Sequence, residues 1–520
     1  MKPIIADGSR FLDAQGRHVI LHGISMVCKD KSKGYSESWT EFDFQKLQQW
    51  GFNFIRLGII WDGIEPKPGE YDAKYIETVR IQFRMAHRFG IYVMLDMHQD
   101  LYSSLFGDGA PAWATLTDGH VYEGTELWSD AYLFNRAVQT AFDHFWSNTP
   151  AVDGVGLQDH YISAWHYVVE QLRDEPNLVG YDLMNEPFIG SDVRQMVGAM
   201  FSSYGRLAGE RMGKVPPSND ELMNMWLDPD SKMQALGFLD SIDDYRDIMQ
   251  ETAPAQIPFE RDQLSAFYRK AAARLRQADP ERLLFLETNY FSNLGVPSAI
   301  EPVQDAAGIR DAQQAFAPHG YDLVTDSDYV HAANGDRVSF IFDSHEITRT
   351  RLNMPMLIGE WGAYGESHEA EDASVHVQRN FERLLCSDAY WCYLYPEMDQ
   401  YSSFHGVCRA YPMETAGTLL SYEFDRVRNA FKMVWDENKI IGAPTRVYVP
   451  DMEAMSKSTL SLSPPSSSIH WAPIKGTKAG ILTIPPTGAG RRSLAIGQGV
   501  SEYSEGSRFC RIFVPCKELL

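Results

Sequence analysis

Residues 75–100 read YIETVRIQFRMAHRFGIYVMLDMHQD, and they hold one complete structural unit. Ile76, Val79, Phe83 and Ala86 recur at helical spacing, and Gly90 stops the helix. A short, almost wholly apolar run, IYVMLDM, follows at once. Such a run predicts a strand covered on both faces. Polar side chains close the unit: Asp96, His98 and Asp100.

The same rhythm extends in both directions. EFDFQKLQQWG (41–51) predicts a helix closed by Gly51, followed by the strand FNFIRLGII (52–60). YISAWHYVVEQL (161–172) puts Ile162, Trp165, Val169 and Leu172 on one face, and LVGYDLM (178–184) is the strand behind it. HVILHGISM (18–26), RLLFLET (282–288), QAFAPHG (314–320), MPMLIGE (354–360) and YWCYLY (390–395) bring the candidate strands to about eight. Short apolar strands separated by helices predict a parallel sheet with helices outside it, and about eight of them predict a (β/α)8 TIM barrel. The competing open, doubly wound sheet wants a Gly-rich phosphate turn, and the sequence has no GxGxxG or P-loop.

Two regions break the rhythm. Residues of about 189–257 form an insertion rich in Met, Leu and aromatics (RQMVGAMFSSYGRLAGERMG, ELMNMWLDPDSKMQALGFLD). It reads first as a self-packed helical excursion, and alternatively as an apolar lid or groove for a greasy substrate. After residue 409 the character changes to short strands between Pro, Gly and Ser: TRVYVP, AGILTIPP and RFCRIFVPC. The expected organisation is a catalytic barrel over 1–409 and a β-sandwich over 410–520, with SKSTLSLSPPSSS as a loop. YEFDRVRNAFKMVW reads equally as a helix or as two strands.

Composition narrows the function. The net charge of -23 repels phosphate backbones and anionic surfaces, which argues against a nucleic-acid partner. No apolar run reaches membrane-spanning length, so stable insertion is not expected. Charges and Gly break any signal-peptide core in MKPIIADGSRFLDAQGRHVILHG. That favours a cytoplasmic location, or secretion if a leader has been trimmed. Cys28, Cys386, Cys392, Cys408, Cys510 and Cys516 form no CxxC pair or Cys/His cluster, so free or buried thiols are expected.

The chemistry concentrates at strand ends. GYDLMNEPF (180–188) runs an apolar segment into Glu186, and MPMLIGEWGAYG (354–365) runs another into Glu360. A lone strand-end Glu is more often solvated or in a salt bridge. Two of them in one barrel mouth are what retaining glycoside hydrolysis needs, one as acid and one as nucleophile. Asn185 can bond a sugar 2-hydroxyl. Arg56 is a charge inside an apolar strand and needs a partner, either Glu360 or a purely structural one. Asp96, His98 and Asp100 alternate onto one face, suited to sugar hydroxyls. With no further His/Asp cluster to complete a site, no metal or cofactor is expected. His319 and Tyr321 end the sixth strand, and Trp391 can stack on a pyranose or serve the core. No GxSxG elbow supports a serine hydrolase.

NEP after the fourth strand and GEWG after the seventh, with FIRLGIIW and DMHQD, resemble glycoside hydrolase family 5. DMHQDLYS, GYDLMNEPF, IGEWG and YPMETAGTLLSYEFD…TRVYVP are similar to its endoglycoceramidase group, including related glucosylceramide and steryl-glucoside β-glucosidases. The resemblance implies Glu186 as acid/base and Glu360 as nucleophile. It implies supporting roles for Arg56, His98, Asn185, His319, Tyr321 and Trp391, and sugar contacts for Lys29, Asp96, Asp100 and Trp128. The expected activity is retaining hydrolysis of the sugar–lipid bond of a glycosphingolipid, releasing oligosaccharide and ceramide. An exo-acting β-glucosidase on glucosylceramide or steryl glucosides is the alternative, and a polysaccharide endoglucanase a further one. The expected partner is the glycolipid itself, met through transient contact with lipid assemblies. A non-catalytic carbohydrate- or lipid-binding protein is the rival outside enzymes, and both glutamates argue against it.

Overall fold

The computed structural model describes residues 3–497, apart from residue 126, residues 326–331 and 366–369, residues 467 and 489, and the side chains of residues 227, 229 and 230. Cys510, Cys516 and the expected strand RFCRIFVPC lie outside the described residues. Eight strands form one parallel sheet: His22–Met26, Phe54–Ile60, Tyr92–His98, Leu178–Asp182, Leu283–Leu286, Gln314–Phe316, Leu357–Gly362 and Ser387–Trp391. Backbone bonds between the sixth and seventh close it into a barrel, Phe316 N–H to Pro355 O (3.0 Å) and Gly359 N–H to Pro318 O (2.9 Å). The first and eighth strands differ in register from expectation. HVILHGISM yields its barrel strand only from His22, and the last strand starts at Ser387, which leaves Trp391 at its C-terminal end.

Local signals explain the elements around the site. Helix Ala73–Arg88 begins where the Asp72 carboxylate accepts from the Lys74 and Tyr75 N–H groups, and it ends just before left-handed Gly90. All seven residues of Phe54–Ile60 are buried, because helices cover one face and the barrel interior the other. The interior is stratified. Phe54, Met94, Leu283, Phe285, Leu357 and Ala389 make an apolar floor, closed below by Ile4, Phe11 and Val19. Two residues further along three of these strands the layer turns polar: Arg56 above Phe54, Asp96 above Met94, Glu287 above Phe285.

The C-terminal unit is two packed antiparallel sheets. One contains Gly417–Asp425, Ala430–Glu437, Arg491–Ile496 and Leu460–Ser463. The ambiguous YEFDRVRNAFKMVW is therefore a hairpin, and the expected Ser/Pro loop contributes an edge strand. In the other sheet, Tyr411–Thr415, Thr445–Val449, Gly480–Ile484 and His470–Pro473 are joined by the N-terminal strands Ile4–Asp7, Arg10–Asp13 and His18–Val19. A division at 409/410 thus separates strands that hydrogen-bond in one sheet. Residues 4–19 floor the barrel and extend the sandwich at once.

The insertion folds as helices Val193–Met212, Asn219–Leu227, Pro229–Phe238 and Ile242–Pro258. The last continues through a π-helical turn, Phe259–Leu264, into barrel helix Ser265–Leu275. Among the described residues, no helix is long and apolar enough to cross a membrane.

Candidate active site

Arg56 organises the polar layer. Its guanidinium is fully buried, with Nη1 2.6 Å from Glu360 Oε1 and 3.0 Å from Asp96 Oδ2. Nη2 donates to Asn185 Oδ1 and to Glu287 Oε1, each at 2.8 Å, and Nε donates to Asp182 Oδ2 at 3.1 Å. Asp96, Asp182 and Glu287 have oxygens mutually within 4.8 Å, and this cation stands among them.

Glu186 follows the fourth strand by four residues, and its backbone is left-handed (φ 43°), an unfavourable conformation for a residue with a Cβ. Neighbouring loops hold it there. Gln99 Nε2 donates to the carbonyls of Asn185 (2.9 Å) and Glu186 (3.1 Å), and the Glu186 N–H donates to Glu287 Oε2 at 2.7 Å. Its side-chain Oε1 accepts from Asn293 Nδ2 and lies against His319 Nδ1, both at 2.9 Å. Tyr321 donates its hydroxyl to Glu360 Oε2 at 2.8 Å. Gly359 leaves room for the imidazole, since a Cβ there would stand 2.9 Å from His319 Nε2. An oxygen of Glu186, an oxygen of Glu360 and a nitrogen of His319 all lie within 4.8 Å of one another. That suits the about 5–5.5 Å of a retaining pair rather than the roughly 6.5–9.5 Å of an inverting one.

Burial and neighbouring charges shift Glu186, Glu287, His319, Asp96 and His98 in different directions. Burial, with the nearby charge of Glu360, raises Glu186 above the usual carboxylate value, against the pull of His319. Burial would raise Glu287 too, but His319 and Arg56 outweigh it and hold this carboxyl at about 2. Burial disfavours charge on His319, yet Glu287 and Glu360 raise it well above an ordinary imidazole. Asp96 is raised by burial to about 7, against Arg56. Burial and then Lys29 lower His98 to about 3, so its ring is neutral at pH 7. With Nδ1 2.8 Å from Asp96 Oδ2, that nitrogen is assigned the proton. The buried, unbonded Nε2 is then an acceptor for a ligand hydroxyl.

Lys29 bonds Asp100, and its ammonium stands 4.6 Å from the Trp391 ring centre and 5.9 Å from that of Trp128. Trp391 stacks on His98 at 5.2 Å. The anticipated residues therefore converge. Lys29, His98, Asp100, Trp128, Glu186, Tyr321, Glu360 and Trp391 line one pocket, and Arg56, Asp96, Asn185 and His319 support it from beneath. Asp108 was not anticipated. It completes a His98–Asp100–Asp108 group within 4.8 Å, so the premise that nothing further joins that cluster does not hold. Lys29 already carries a cation to Asp100 there.

The pocket, about 310 Å³, runs from the glutamates beneath the insertion. Met200, Phe201, Tyr204, Met225, Trp226 and Met249 form its apolar wall. The helices of 193–258 are thus more than a self-packed excursion. Sequence reading also passed over Glu287 and Asn293, although RLLFLET repeats the pattern of an apolar strand ending in an acid. Asn293 sits in the short 3-10 helix Tyr290–Leu294 after the fifth strand and carries no comparable signal.

A barrel with a close carboxyl pair at the C-terminal ends of its strands, one acid raised in pKa and the other bound by arginine and tyrosine, is the arrangement of glycoside hydrolases. The family model "Cellulase (glycosyl hydrolase family 5)" matches residues 12–395, and "Glycoside hydrolase family 5 C-terminal domain" matches residues 409–493. The chain belongs to glycoside hydrolase family 5. It is similar to an endoglycoceramidase of Cyanea nozakii, 32% identical over 214 residues that cover 36% of this chain and 41% of that one. A glucosylceramidase of Aspergillus fumigatus is 28% identical over 241 residues, covering 35% of this chain and 32% of that one. These matches span less than half of either relative. The fold is shared along nearly the whole length with endo-glycoceramidase II from Rhodococcus sp., solved as a ganglioside GM3 complex. The TM-score is 0.72 and the identity 23%, with 95% of this chain and 100% of that chain covered.

Proposed function

We propose that the protein is a retaining β-glycosidase that cleaves the sugar–lipid bond of glycosphingolipids. The observation that carries this reading is the continuity between the Glu186–Glu360 pair and an apolar pocket roofed by the insertion. One end offers sugar-binding groups (Lys29, His98, Asp100, Trp391), and the other offers Met and aromatic side chains to a lipid. A polysaccharide endoglucanase has no use for such a wall. The endoglycoceramidase relative from Cyanea nozakii points the same way.

Glu360 attacks the anomeric carbon as a carboxylate, with Oε1 held by Arg56 and Oε2 by Tyr321. Glu186 passes its proton to the glycosidic oxygen as that bond breaks, and ceramide leaves as the alcohol. Glu360 is then an uncharged ester, which removes one cause of the raised Glu186 pKa. Glu186, now a carboxylate, takes a proton from water as that water attacks the same carbon and frees Glu360. Asn185 Oδ1 accepts from Arg56 Nη2, and its amide donates one proton to the Gln99 carbonyl (2.9 Å), which leaves the other proton for a sugar hydroxyl.

The substrate resides in lipid assemblies, so transient contact with them is part of this reading. Met212, Val215 and Met233 are exposed on the insertion for it. Removal of a single glucose is the second reading, favoured by the A. fumigatus glucosylceramidase relative. Mass spectrometry of products from lactosylceramide, glucosylceramide, a steryl glucoside and a soluble β-glucan separates these cases. Ceramide with intact lactose is the expected result. Activity on monoglucosides alone selects the second reading, and oligosaccharides from the glucan alone overturn both.

A further inference from the structure

We infer that Glu287 is a positioning residue that aims the Glu186 carboxyl at the leaving-group oxygen. This rests on the retaining-glycosidase reading, but not on the identity of the lipid. Glu287 is 1% exposed and follows the fifth barrel strand, with its own carbonyl accepting from the Tyr268 hydroxyl at 3.0 Å. Its two oxygens serve different partners. Oε2 accepts the Glu186 N–H at 2.7 Å. Oε1 lies 2.8 Å from Arg56 Nη2 and 3.1 Å from His319 Nε2.

The two catalytic carboxyls depend on it unequally. Glu360 keeps Tyr321, and it keeps an Arg56 still held by Asp96, Asp182 and Asn185. Glu186 keeps its bonds from Gln99 and Asn293, but it depends on Glu287 twice. Its left-handed peptide is tied through the N–H, and its side chain rests on His319, whose other nitrogen faces Glu287. A bound carboxylate that fixes a strained peptide and the imidazole beside it sets the direction of the acid more than that of the nucleophile.

The test compares leaving groups in one preparation, because a ratio of rates cancels the folded fraction. An alkyl β-glycoside needs the proton from Glu186, whereas a 2,4-dinitrophenyl β-glycoside of the same sugar leaves without it. Glu287→Gln is expected to lower kcat/KM on the alkyl glycoside by ~100-fold or more, the scale of general-acid catalysis. On the dinitrophenyl glycoside the loss in kcat/KM should stay below about 10-fold, while kcat and KM fall together there because Glu186 also serves the second step. Should Glu287→Gln not fold, Glu287→Asp carries the same test. It keeps charge against Arg56 and His319 while drawing the carboxylate back from the Glu186 N–H. A ratio unchanged from wild type overturns the assignment. A wild type that ignores the glycolipid panel while the ratio still falls overturns the lipid reading and supports the role of Glu287.

Discussion

Arg56 Nη1 lies 2.6 Å from Glu360 Oε1, and the same guanidinium touches Asp96, Asp182, Asn185 and Glu287. One planar fork thus holds Glu360, the proposed nucleophile, and neutralises the buried acids beneath it. Lysine has a single point charge and cannot reproduce that fork. Arg56→Lys is expected to lower kcat by about 10²–10³, the scale of losing one preorganised electrostatic contact. Arg56→Met leaves buried carboxylates unpaired and should destabilise the fold by about 3–5 kcal/mol. Steady-state kinetics and urea unfolding check the two expectations.

Glu186 is raised by burial and by the charge of Glu360. The proposed mechanism needs it protonated for the first step, so kcat/KM should fall as pH rises through its pKa. In Glu360→Gln that charge is gone, and the Glu186 pKa should drop toward the ordinary 4.5. Carboxyl NMR titration of the two proteins checks this, and equal values would refute the coupling.

Trp226 and Met200, on two helices of the insertion, belong to the apolar wall of the pocket. An indole buried against a lipid contributes on the order of 2–3 kcal/mol. Trp226→Ala should raise KM for a long-chain glycolipid by about 30–100-fold. The rate on a dinitrophenyl glycoside, whose aglycone stops short of that wall, should hardly change.

Glu382 lies between barrel and sandwich, accepting from the Phe424 N–H at 3.0 Å and from Gln378 Nε2 at 2.6 Å. Burial raises its pKa to about 7 from an ordinary 4.5. A raised acid stabilises the fold fully below its unfolded pKa and loses that contribution as pH climbs through the folded value. Wild type should lose up to about 3 kcal/mol from this group between pH 4.5 and pH 8. Glu382→Gln does not titrate, so its stability relative to wild type should improve by about that amount over the interval. Urea unfolding at the two pH values measures it.

The barrel was legible because buried parallel strands are near-continuously apolar, so a charge such as Arg56 or an acid such as Glu186 at a strand end stands out. The limits of the reading were equally physical. His18–Val19 is apolar enough to continue into His22–Met26, yet it pairs with Tyr411–Thr415, a partner nearly 400 positions away that local pattern cannot indicate. The edge strand Leu460–Ser463 hid among Ser and Pro because it buries little side-chain area. Asn293 reaches Glu186 from the 3-10 turn Tyr290–Leu294, within the connection after the fifth strand, where the Gln256 amide bonds Ser292 Oγ at 2.7 Å. Asp108 meets Asp100 through a loop closure for the same kind of reason. Periodicity carries information about faces, and these contacts are made by connections.

In the proposed mechanism Glu360 forms a glycosyl ester while Glu186 handles the proton. Incubation with a 2-deoxy-2-fluoro-β-glycosyl fluoride, followed by proteolysis and peptide mass spectrometry, tests it most directly. Time-dependent inactivation is expected, with one added fluoroglycosyl group on the peptide containing Glu360, absent in Glu360→Gln. Hydrolysis of glycolipid with no such adduct, or an adduct on Glu186, would contradict it.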